Sequence, residues 1–461
     1  MSKEETIYLD QQWQEIQPQR DVSASNFTAG SILFNFNVSG LNCVSMNDSY
    51  FIITSKLTKT DGTPLLMTDK ITYAHNWCSA LFSNVSVRVS GQEVSVCNQY
   101  NHIAHTIKLR QMIDENLLSS NFRDAMDYDI DFTRRLSKHC FRNGNVVPQR
   151  EDSMVEYAND DADPIRMGDV NRQTIFQPLN LGVFDLKFGE LCGDISIMLN
   201  PNPNYLTACV ESAVFQNSAR GGGREFKSNV DYKFTVEKIV FMACYAKATK
   251  PIDSVKTFEI NEYAVQNKPH SEQLEFQVLP STNQITTFIQ DVSAGSSTII
   301  PATFFKVRQF TDAEVNDWAS TYGKQYTQDE QGAVQVTLGN QTKPPIMITP
   351  QVNMPGNHAQ KLRWLMSHQY LDKHKTYFER YDDWCASPYF CFDFMRDSSD
   401  TSGFVTIRSN YITKPDGIGA GTLVKWAGNQ TPLLFCVSRY TRQVQITYNS
   451  GYVTDIKIQN T

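Results

Sequence analysis

The apolar and polar positions of residues 73–110 predict a β-hairpin followed by a helix. Apolar side chains first alternate with polar ones over residues 85–89, which is the period of a strand with one buried face. Ser90 and Gly91 interrupt this run and predict a turn, after which residues 93–96 form a second short strand. The apolar spacing then changes to that of one helical face. The residues of this face are Tyr100, Ile103, Ala104 and Ile107.

The same alternation recurs in both halves of the chain. In the first half it covers residues 32–38 and 51–57. In the second half, strand patterns return on either side of a turn at Pro280, and again in the C-terminal segments 389–394, 403–411 and 432–458. An aromatic content of 11% also favours β structure. The sequence therefore predicts an all-β protein of two antiparallel sandwiches in tandem.

Helices are expected to be few and short. In the second half, Thr311 and Glu314 have the spacing of a capping box, in which each side chain bonds a free backbone N–H group at a helix start. Residues from about 359 to 381 carry an apolar face at helical spacing, with Lys373 as the exception. Each sandwich is therefore predicted to have a short flanking helix.

At 461 residues the chain has room for two sandwiches and their connections. Its first residues are polar and rich in glutamine, and we expect an extended arm that docks on a neighbouring subunit through Trp13 and Ile16; a frayed terminus is the alternative. The predicted parts are an N-terminal arm (1–24), a first sandwich (25–246) with a long polar insertion (about 118–178), a linker (247–267) and a second sandwich (268–461).

The charge of the chain bears on its partners. A formal net charge of −7 argues against broad electrostatic binding to nucleic acid, which needs clustered lysine and arginine, and no specific nucleic-acid binding is expected. The longest apolar runs fall far short of the ~20 residues of a membrane span. The N-terminal residues lack the apolar region of a signal peptide, so the chain is expected to be made inside the cell and not in the secretory pathway, where disulfides would form. The ten cysteines include no CxxC pair and are predicted to be buried free thiols.

No cluster in the sequence has the composition and spacing of a catalytic, cofactor or metal site. His102 and His105 share a face of the predicted helix, but no third ligand accompanies them, and packing on the sheets explains them better. The acidic residues 159–163 supply the oxygen ligands that Ca²⁺ favours without the spacing of an EF-hand, and cation binding there stays open. The other candidates, each better explained as a loop or packing feature, are His139-Cys140, Arg220–Arg224, Asp382-Asp383 and Gly417–Gly421.

Several segments, spread over both halves and in the same order, resemble double jelly-roll major capsid proteins of the polinton-like virus, adintovirus and virophage type. The first is Asn-x-x-x-Ala-Leu-Phe-Ser-Asn-Val at 76–85, followed by the alternating strand and the tyrosine-bearing helix. The others are the strand, glycine loop and strand of 183–197, the matching residues Leu279, Pro280, Ile285 and Phe288, the Phe-x-Phe-Asp strand at 390–393 and the closing strands with their Asn-Ser-Gly turn at 449–451.

This resemblance implies a double jelly roll of two eight-stranded units. It also implies a structural protein without catalysis or cofactor, which assembles as pseudo-hexagonal homotrimers into an icosahedral virus shell. The implied partners are further copies of the chain, together with penton and minor or cement capsid proteins, and the implied location is the virion capsid. In such a shell the loops would face outwards and the arm inwards.

Two other functions remain open from the residues alone. A minor capsid or spike protein would share the β structure, but such proteins usually have one jelly roll. A carbohydrate-binding or carbohydrate-cleaving sandwich would also be rich in aromatic residues. Its candidate sugar platforms would be Trp77, Trp318, Trp364, Trp384 and Trp426.

Overall fold

A computed structural model gives the fold of the larger part of the chain. The described residues are 8–69, 71–74, 76–98, 100–112, 135, 138–140, 172–177, 181–187, 191–203, 205–212, 215–216, 225–226, 231–290, 331–347, 389–394, 403–411 and 433–459. The predicted helices at 311–314 and 359–381 lie outside these residues.

Eight strands of the first half form two four-stranded antiparallel sheets. In spatial order, one sheet contains β1 (Tyr8–Ile16), β12 (Tyr232–Ala248), β3 (Asn42–Lys59) and β7 (Arg172–Gln177). The other contains β2 (Ile32–Val38), β8 (Gly193–Pro201), β5 (Phe82–Val89) and β6 (Gln92–Cys97). Two short pairs lie outside these sheets, β4 (Ile71–Tyr73) with β9 (Val210–Ser212) and β10 (Phe215–Gln216) with β11 (Glu225–Phe226).

The second half repeats this arrangement. One sheet contains β13 (Val255–Pro269), β20 (Leu433–Asn449), β15 (Thr282–Gln290) and β18 (Phe390–Asp393). The other contains β14 (Gln273–Gln277), β19 (Phe404–Tyr411), β16 (Gln331–Leu338) and β17 (Gln341–Lys343). An added strand, β21 (Tyr452–Gln459), pairs with the later part of β20, beyond the end of β15.

The two halves have one connectivity. Counting the eight sheet strands of each half in chain order, one sheet runs first, eighth, third, sixth and the other second, seventh, fourth, fifth. This is the strand order of a jelly roll, in which two Greek keys wrap into facing sheets. The prediction of two tandem eight-stranded antiparallel jelly rolls is confirmed.

The core of the first jelly roll follows from the alternating pattern. Ile32, Phe34 and Val38 of β2 are fully buried, whereas Asn35 between them is exposed. Phe34 meets Phe51 of the facing sheet with ring centroids 5.3 Å apart in an edge-on contact. Each such buried aromatic side chain contributes roughly 1.5–3 kcal/mol through the apolar area that it removes from water.

The described helices are short, as expected. They are α1 (Trp77–Ala80), α2 (Asn101–Met112) and α3 (Tyr205–Ala208), with 3-10 turns at Met67–Asp69 and Gly182–Asp185. Helix α2 begins where the sequence predicts a helix, after the hairpin of β5 and β6. Ser90 and Gly91 join these strands with φ angles of 47° and 83°, a pair of left-handed conformations that suits the twist of a hairpin.

Three predicted segment boundaries need correction. Residues 8–16, assigned to the N-terminal arm, form β1 and pair with β12 in the first jelly roll. The predicted linker, 247–267, is mostly strand, because β13 begins at Val255 and pairs with β20 along its whole length. The predicted insertion contains β7, which pairs with the middle of β3. In β1 and β7 the apolar alternation is weak, and in β13 a glutamate interrupts it, so main-chain pairing defines all three strands.

The junction of the jelly rolls and the exposed edge of β1

A buried carboxyl group lies where the two jelly rolls meet. Glu262 of β13 accepts hydrogen bonds from the hydroxyl of Ser95 in β6 and, at 3.3 Å, from the backbone N–H of Gly182. Glu262 is 1% exposed, and its second oxygen, Oε2, has no hydrogen-bond partner among the described residues. Arg442 of β20 is also buried here and donates to the Val94 carbonyl oxygen at 3.3 Å.

The environment of Glu262 favours its neutral form. Burial raises the pKa of the carboxyl to about 7, and this effect outweighs the hydrogen bond from Ser95 and the positive charge of Arg442, which lower the pKa. A protonated carboxyl can also donate a hydrogen bond, which a carboxylate cannot. The junction therefore holds an acid that is partly protonated near neutral pH.

Close backbone contact at two glycines brings the jelly rolls together. A Cβ atom on Gly182 would lie 2.7 Å from both the carbonyl oxygen of Asn261 and the Cβ atom of Ile260. A Cβ atom on Gly451, which has a φ of +80°, would clash with the carbonyl oxygen of Gly40. Only glycine permits these approaches without a shift of the backbone. The turn between β20 and β21 thus rests directly on the turn between β2 and β3.

Helix α2 belongs to the first jelly roll but also contacts the second. Gln111 donates a hydrogen bond to the sulfur of Cys391 in β18 at 3.2 Å. The Arg110 guanidinium lies 4.8 Å from the ring centroid of Tyr389, a cation–π contact. The jelly rolls therefore share a packed interface. Its side chains come from α2, from β18 and from Tyr389, which directly precedes β18.

A buried polar network fastens α1 to α2. Ser79 of α1 is hydrogen bonded to Nδ1 of His105 in α2 and donates to Oδ1 of Asn76 at 3.0 Å. Asn76 in turn donates to the hydroxyl of Thr106 at 2.9 Å. Burial, assisted by the positive charge of Lys108, lowers the pKa of His105 to about 3, so the imidazole is neutral. All of these hydrogen-bonded side chains are buried, and their arrangement serves packing.

Three large apolar side chains are exposed on β1, at one edge of the first jelly roll. β1 is the outermost strand of its sheet, and its side chains are almost all exposed. Leu9 is 50% and Trp13 is 49% exposed, although the Trp13 indole N–H donates to the Asp48 carbonyl oxygen at 3.0 Å. We call the three exposed side chains of Tyr8, Leu9 and Trp13 the β1 apolar edge. The other predicted anchor, Ile16, is partly buried and packs on the core of its own chain.

Sequence comparison finds no relative, whereas structure comparison finds several. No family model matches the sequence, and no curated protein matches it. The mavirus major capsid protein matches with a TM-score of 0.53 and 10% identity, covering 97% of this chain and 90% of the mavirus chain. A chain of the Sputnik virophage matches with a TM-score of 0.52 and 10% identity, covering 98% of this chain and 88% of its own. A chain of the PBCV-1 virus capsid matches with a TM-score of 0.51 and 10% identity, covering 99% of this chain and 98% of its own.

The chain has the double jelly-roll fold of viral major capsid proteins. These matches extend over both halves, so the likeness includes both jelly rolls. An identity of 10% leaves little likeness of side chains, and the double jelly-roll fold is what the structures share.

The structure locates several candidates from the sequence in this double jelly roll. Trp77 is fully buried against Tyr73, with ring centroids 5.1 Å apart, and is not a sugar platform. His102 and His105 are both buried on α2. No group of three or more histidine, cysteine, aspartate or glutamate residues in the described part of the chain is placed to hold a metal ion. The candidates outside the described residues are Trp318, Trp364, Trp384, Trp426, 159–163, 220–224, 382–383 and 417–421.

The nine described cysteines are buried free thiols, as predicted. The tenth, Cys385, lies outside the described residues. Among the helices that the structure describes, none combines the length and apolar character needed to cross a membrane.

Sequence reasoning missed the junction. Its central group, Glu262, is separated from Ser95 by 167 positions in the chain. The available signal was a glutamate at a position where Phe258 and Ile260 set an apolar alternation. A charged residue in such a register indicates either an interrupted strand or a buried polar contact.

Proposed function

We propose that the protein is a viral major capsid protein, a structural subunit whose function is to assemble with further copies of itself into the shell of a virion. The observation that carries this proposal is the repeat of one jelly-roll connectivity in both halves, in a chain that matches the mavirus major capsid protein over 97% of its length. A role in assembly needs surfaces and no catalytic site. The proposal accordingly assigns the protein no enzymatic activity and no cofactor.

The assembly unit that we propose is a homotrimer with a pseudo-hexagonal outline. Two similar sandwiches in each chain give six in a three-fold ring, and such a ring can tile a nearly hexagonal lattice in an icosahedral shell. Cyclic symmetry closes the ring and avoids the open growth of a head-to-tail contact. Penton and minor or cement proteins would complete the shell.

The β1 apolar edge is the surface that we propose for contact with a neighbouring copy. Tyr8, Leu9 and Trp13 are large apolar side chains exposed on one strand, and large stable interfaces are richer in such residues than free surfaces. Trp13 keeps its predicted role in this proposal, because half of its surface is exposed. Ile16 does not, since it packs on its own core.

The test is the state of the purified full-length chain, measured by mass photometry and cryo-electron microscopy. We expect trimers, and pseudo-hexagonal arrays or shells at higher concentration. A chain that stays monomeric at every concentration tested would contradict the capsid proposal.

Substitution is the appropriate test of the edge, because removing residues 1–20 would also remove β1 from its sheet. The double substitution Leu9→Gln and Trp13→Gln should shift the equilibrium from trimers or shells towards monomers without unfolding the chain. Leu206→Gln, at a leucine that is 45% exposed on α3, is the matched control and should assemble normally. If wild type and the double variant assemble equally well, the β1 apolar edge is not an interface, and the capsid proposal stands on its own result.

A further inference from the structure

Two cysteines of the first jelly roll lie opposite each other across an antiparallel bridge. Val44 of β3 pairs with Leu191, which precedes β8. In an antiparallel bridge, the residue before one partner faces the residue after the other, so Cys43 faces Cys192. Directly opposed residues have Cα atoms ~4.5–5.5 Å apart and side chains on the same face of the sheet. Disulfides usually join cysteines with Cα atoms ~4.4–6.8 Å apart.

The thiol contacts agree with this placement. The Cys192 sulfur lies 3.8 Å from the carbonyl oxygen of Asn42, which belongs to the peptide group that joins Asn42 to Cys43. The Cys43 sulfur donates to the Ala246 carbonyl oxygen at 3.2 Å. Both cysteines are buried, with exposed fractions of 1% and 0%. Burial, and to a smaller extent the neighbouring Cys43, raises the pKa of the Cys192 thiol to about 12.

We propose that Cys43 and Cys192 are a redox-sensitive pair that is reduced in the newly made protein and becomes a disulfide on contact with a small-molecule disulfide. Oxidised glutathione is a suitable oxidant. One cysteine thiolate attacks it to form a mixed disulfide and releases one glutathione thiolate. The second cysteine thiolate then attacks the cysteine sulfur of the mixed disulfide, which forms the Cys43–Cys192 bond and releases the second glutathione thiolate. The two cysteines lose two protons and two electrons, and the oxidised glutathione gains both.

Cys43 and Cys192 are shielded from oxidants while the two jelly rolls are packed together. A thiol reacts as its thiolate, and the raised pKa of Cys192 keeps the thiolate fraction low. The second jelly roll also covers this place, because the backbone N–H of Cys192 donates to the hydroxyl of Tyr448 in β20 at 3.2 Å. Oxidation therefore proceeds slowly, through transient opening of the junction. The bond, once formed, is equally sheltered from reductants.

The disulfide would stabilise the first jelly roll. It would join the beginning of β3 to the segment before β8 and close the long stretch of chain between them. Closing a loop restricts the unfolded chain more than the folded one, and the effect grows with loop length. A protein that is made in a reducing compartment and later meets oxidising surroundings would gain this cross-link only after folding. The inference does not depend on the capsid role.

The experiment uses the reduced full-length protein incubated with oxidised glutathione. Free thiols are then alkylated, the protein is digested without reduction, and linked peptides are identified by mass spectrometry. We expect a peptide pair joining Cys43 to Cys192, lighter by two hydrogen atoms, and a melting temperature raised by several degrees. Cys192→Ala should abolish both changes. Cys436→Ala, which removes a buried thiol of the second jelly roll, should keep both.

The same incubation in urea shows that the reagent oxidises accessible thiols. Alkylation of Cys43 and Cys192 in the native protein after prolonged incubation, with full oxidation in urea, would overturn the proposal. So would a map that joins either cysteine to a different partner. These outcomes come from the wild-type protein and do not require any variant to fold.

Discussion

The hydroxyl of Ser95 in the first jelly roll donates a hydrogen bond to the carboxyl group of Glu262 in the second. The two residues are buried, and the bond connects β6 to β13 across the junction. Because one oxygen of the carboxyl has no hydrogen-bond partner among the described residues, an ionised Glu262 would leave a poorly solvated charge between the two jelly rolls.

The first prediction is that Glu262 makes stability fall as pH rises towards neutrality. Its pKa in the folded protein is raised from 4.5 to about 7, so the folded chain binds this proton more tightly than the unfolded chain. The resulting stabilisation is complete below about pH 4.5 and is lost as pH rises through about 7, by about 3 kcal/mol in total. Glu262→Gln removes this titration. In urea unfolding across this pH range, the free energy of unfolding of the variant should therefore rise relative to that of wild type as pH rises.

Glu259→Gln is the matched control, because Glu259 is exposed on the same strand. Its stability should follow that of wild type at every pH. If the free energies of unfolding of wild type and Glu262→Gln changed with pH in the same way, the junction would hold no buried acid that titrates in this range.

The second prediction is that His105 makes the stability of the protein fall as pH is lowered, the opposite of the effect of Glu262. The pKa of His105 is lowered from 6.5 to about 3, so the unfolded chain binds this proton more tightly than the folded one. The stability that depends on neutral His105 is therefore lost as pH falls from about 6.5 towards 3. His105→Gln keeps a hydrogen-bonding side chain beside Ser79 but does not titrate. The variant should lose less stability than wild type on acidification, and an equal loss would contradict the prediction.

The third prediction tests the close approach at Gly182. In Gly182→Ala, the added methyl group would meet the backbone of Asn261, and the junction must open to accommodate it. We expect a loss of about 1–3 kcal/mol in the free energy of unfolding, which is typical of overpacking. Gly30→Ala is the control, because a Cβ atom there meets nothing within 4 Å. Equal stabilities of the two variants in urea unfolding would show that the contact is not tight.

The fourth prediction separates backbone strain from contact at Gly451. Gly451 and Gly62 have φ angles of +80° and +86°, so alanine at either position costs roughly 1–2 kcal/mol in backbone conformation. Only at Gly451 would the methyl group also strike the Gly40 backbone. Gly451→Ala should therefore be less stable than Gly62→Ala by a further 1–3 kcal/mol or so in the same unfolding assay. A difference near zero would mean that the two turns do not pack as described.

The sequence predicts the strands whose two faces differ, and it misses those whose faces do not. β5 alternates buried valines with polar residues, and its partner β6 follows a turn whose two residues adopt left-handed conformations. β1 offers no such contrast, since eight of its nine residues are exposed. It is held by backbone pairing to β12, with a register shift near Asp10, whose φ is 54°. Hydrogen bonds between backbone groups do not require a particular pattern of side chains, so this pairing cannot be read from the sequence.

The junction is unpredictable for a different reason. Its contacts join residues far apart in the chain, such as Arg442 with Val94, which are 348 positions apart. β13 carries a glutamate on its buried face, so it looks like a polar linker until its partner is known. β7 is similar, because Arg172 forms an exposed ion pair with Glu237 at 2.7 Å and gives the strand a polar appearance. These features depend on tertiary neighbours and not on local period.

The seating of the β20–β21 turn on the first jelly roll has a consequence for synthesis. The ribosome releases all strands of the first jelly roll before β20 and β21 exist. Until those strands emerge, the turn at Gly40 and the backbone around Cys192 are exposed to solvent in the nascent first domain. Gly182 is likewise exposed until β13 has been made and packs against it. Domains usually fold in the order in which they are made, but here the earlier domain gains its cover from the later one. A stalled or truncated chain would therefore expose to chaperones and proteases the surface that the second jelly roll normally covers. This would hold even if both sheets of the first jelly roll were fully formed.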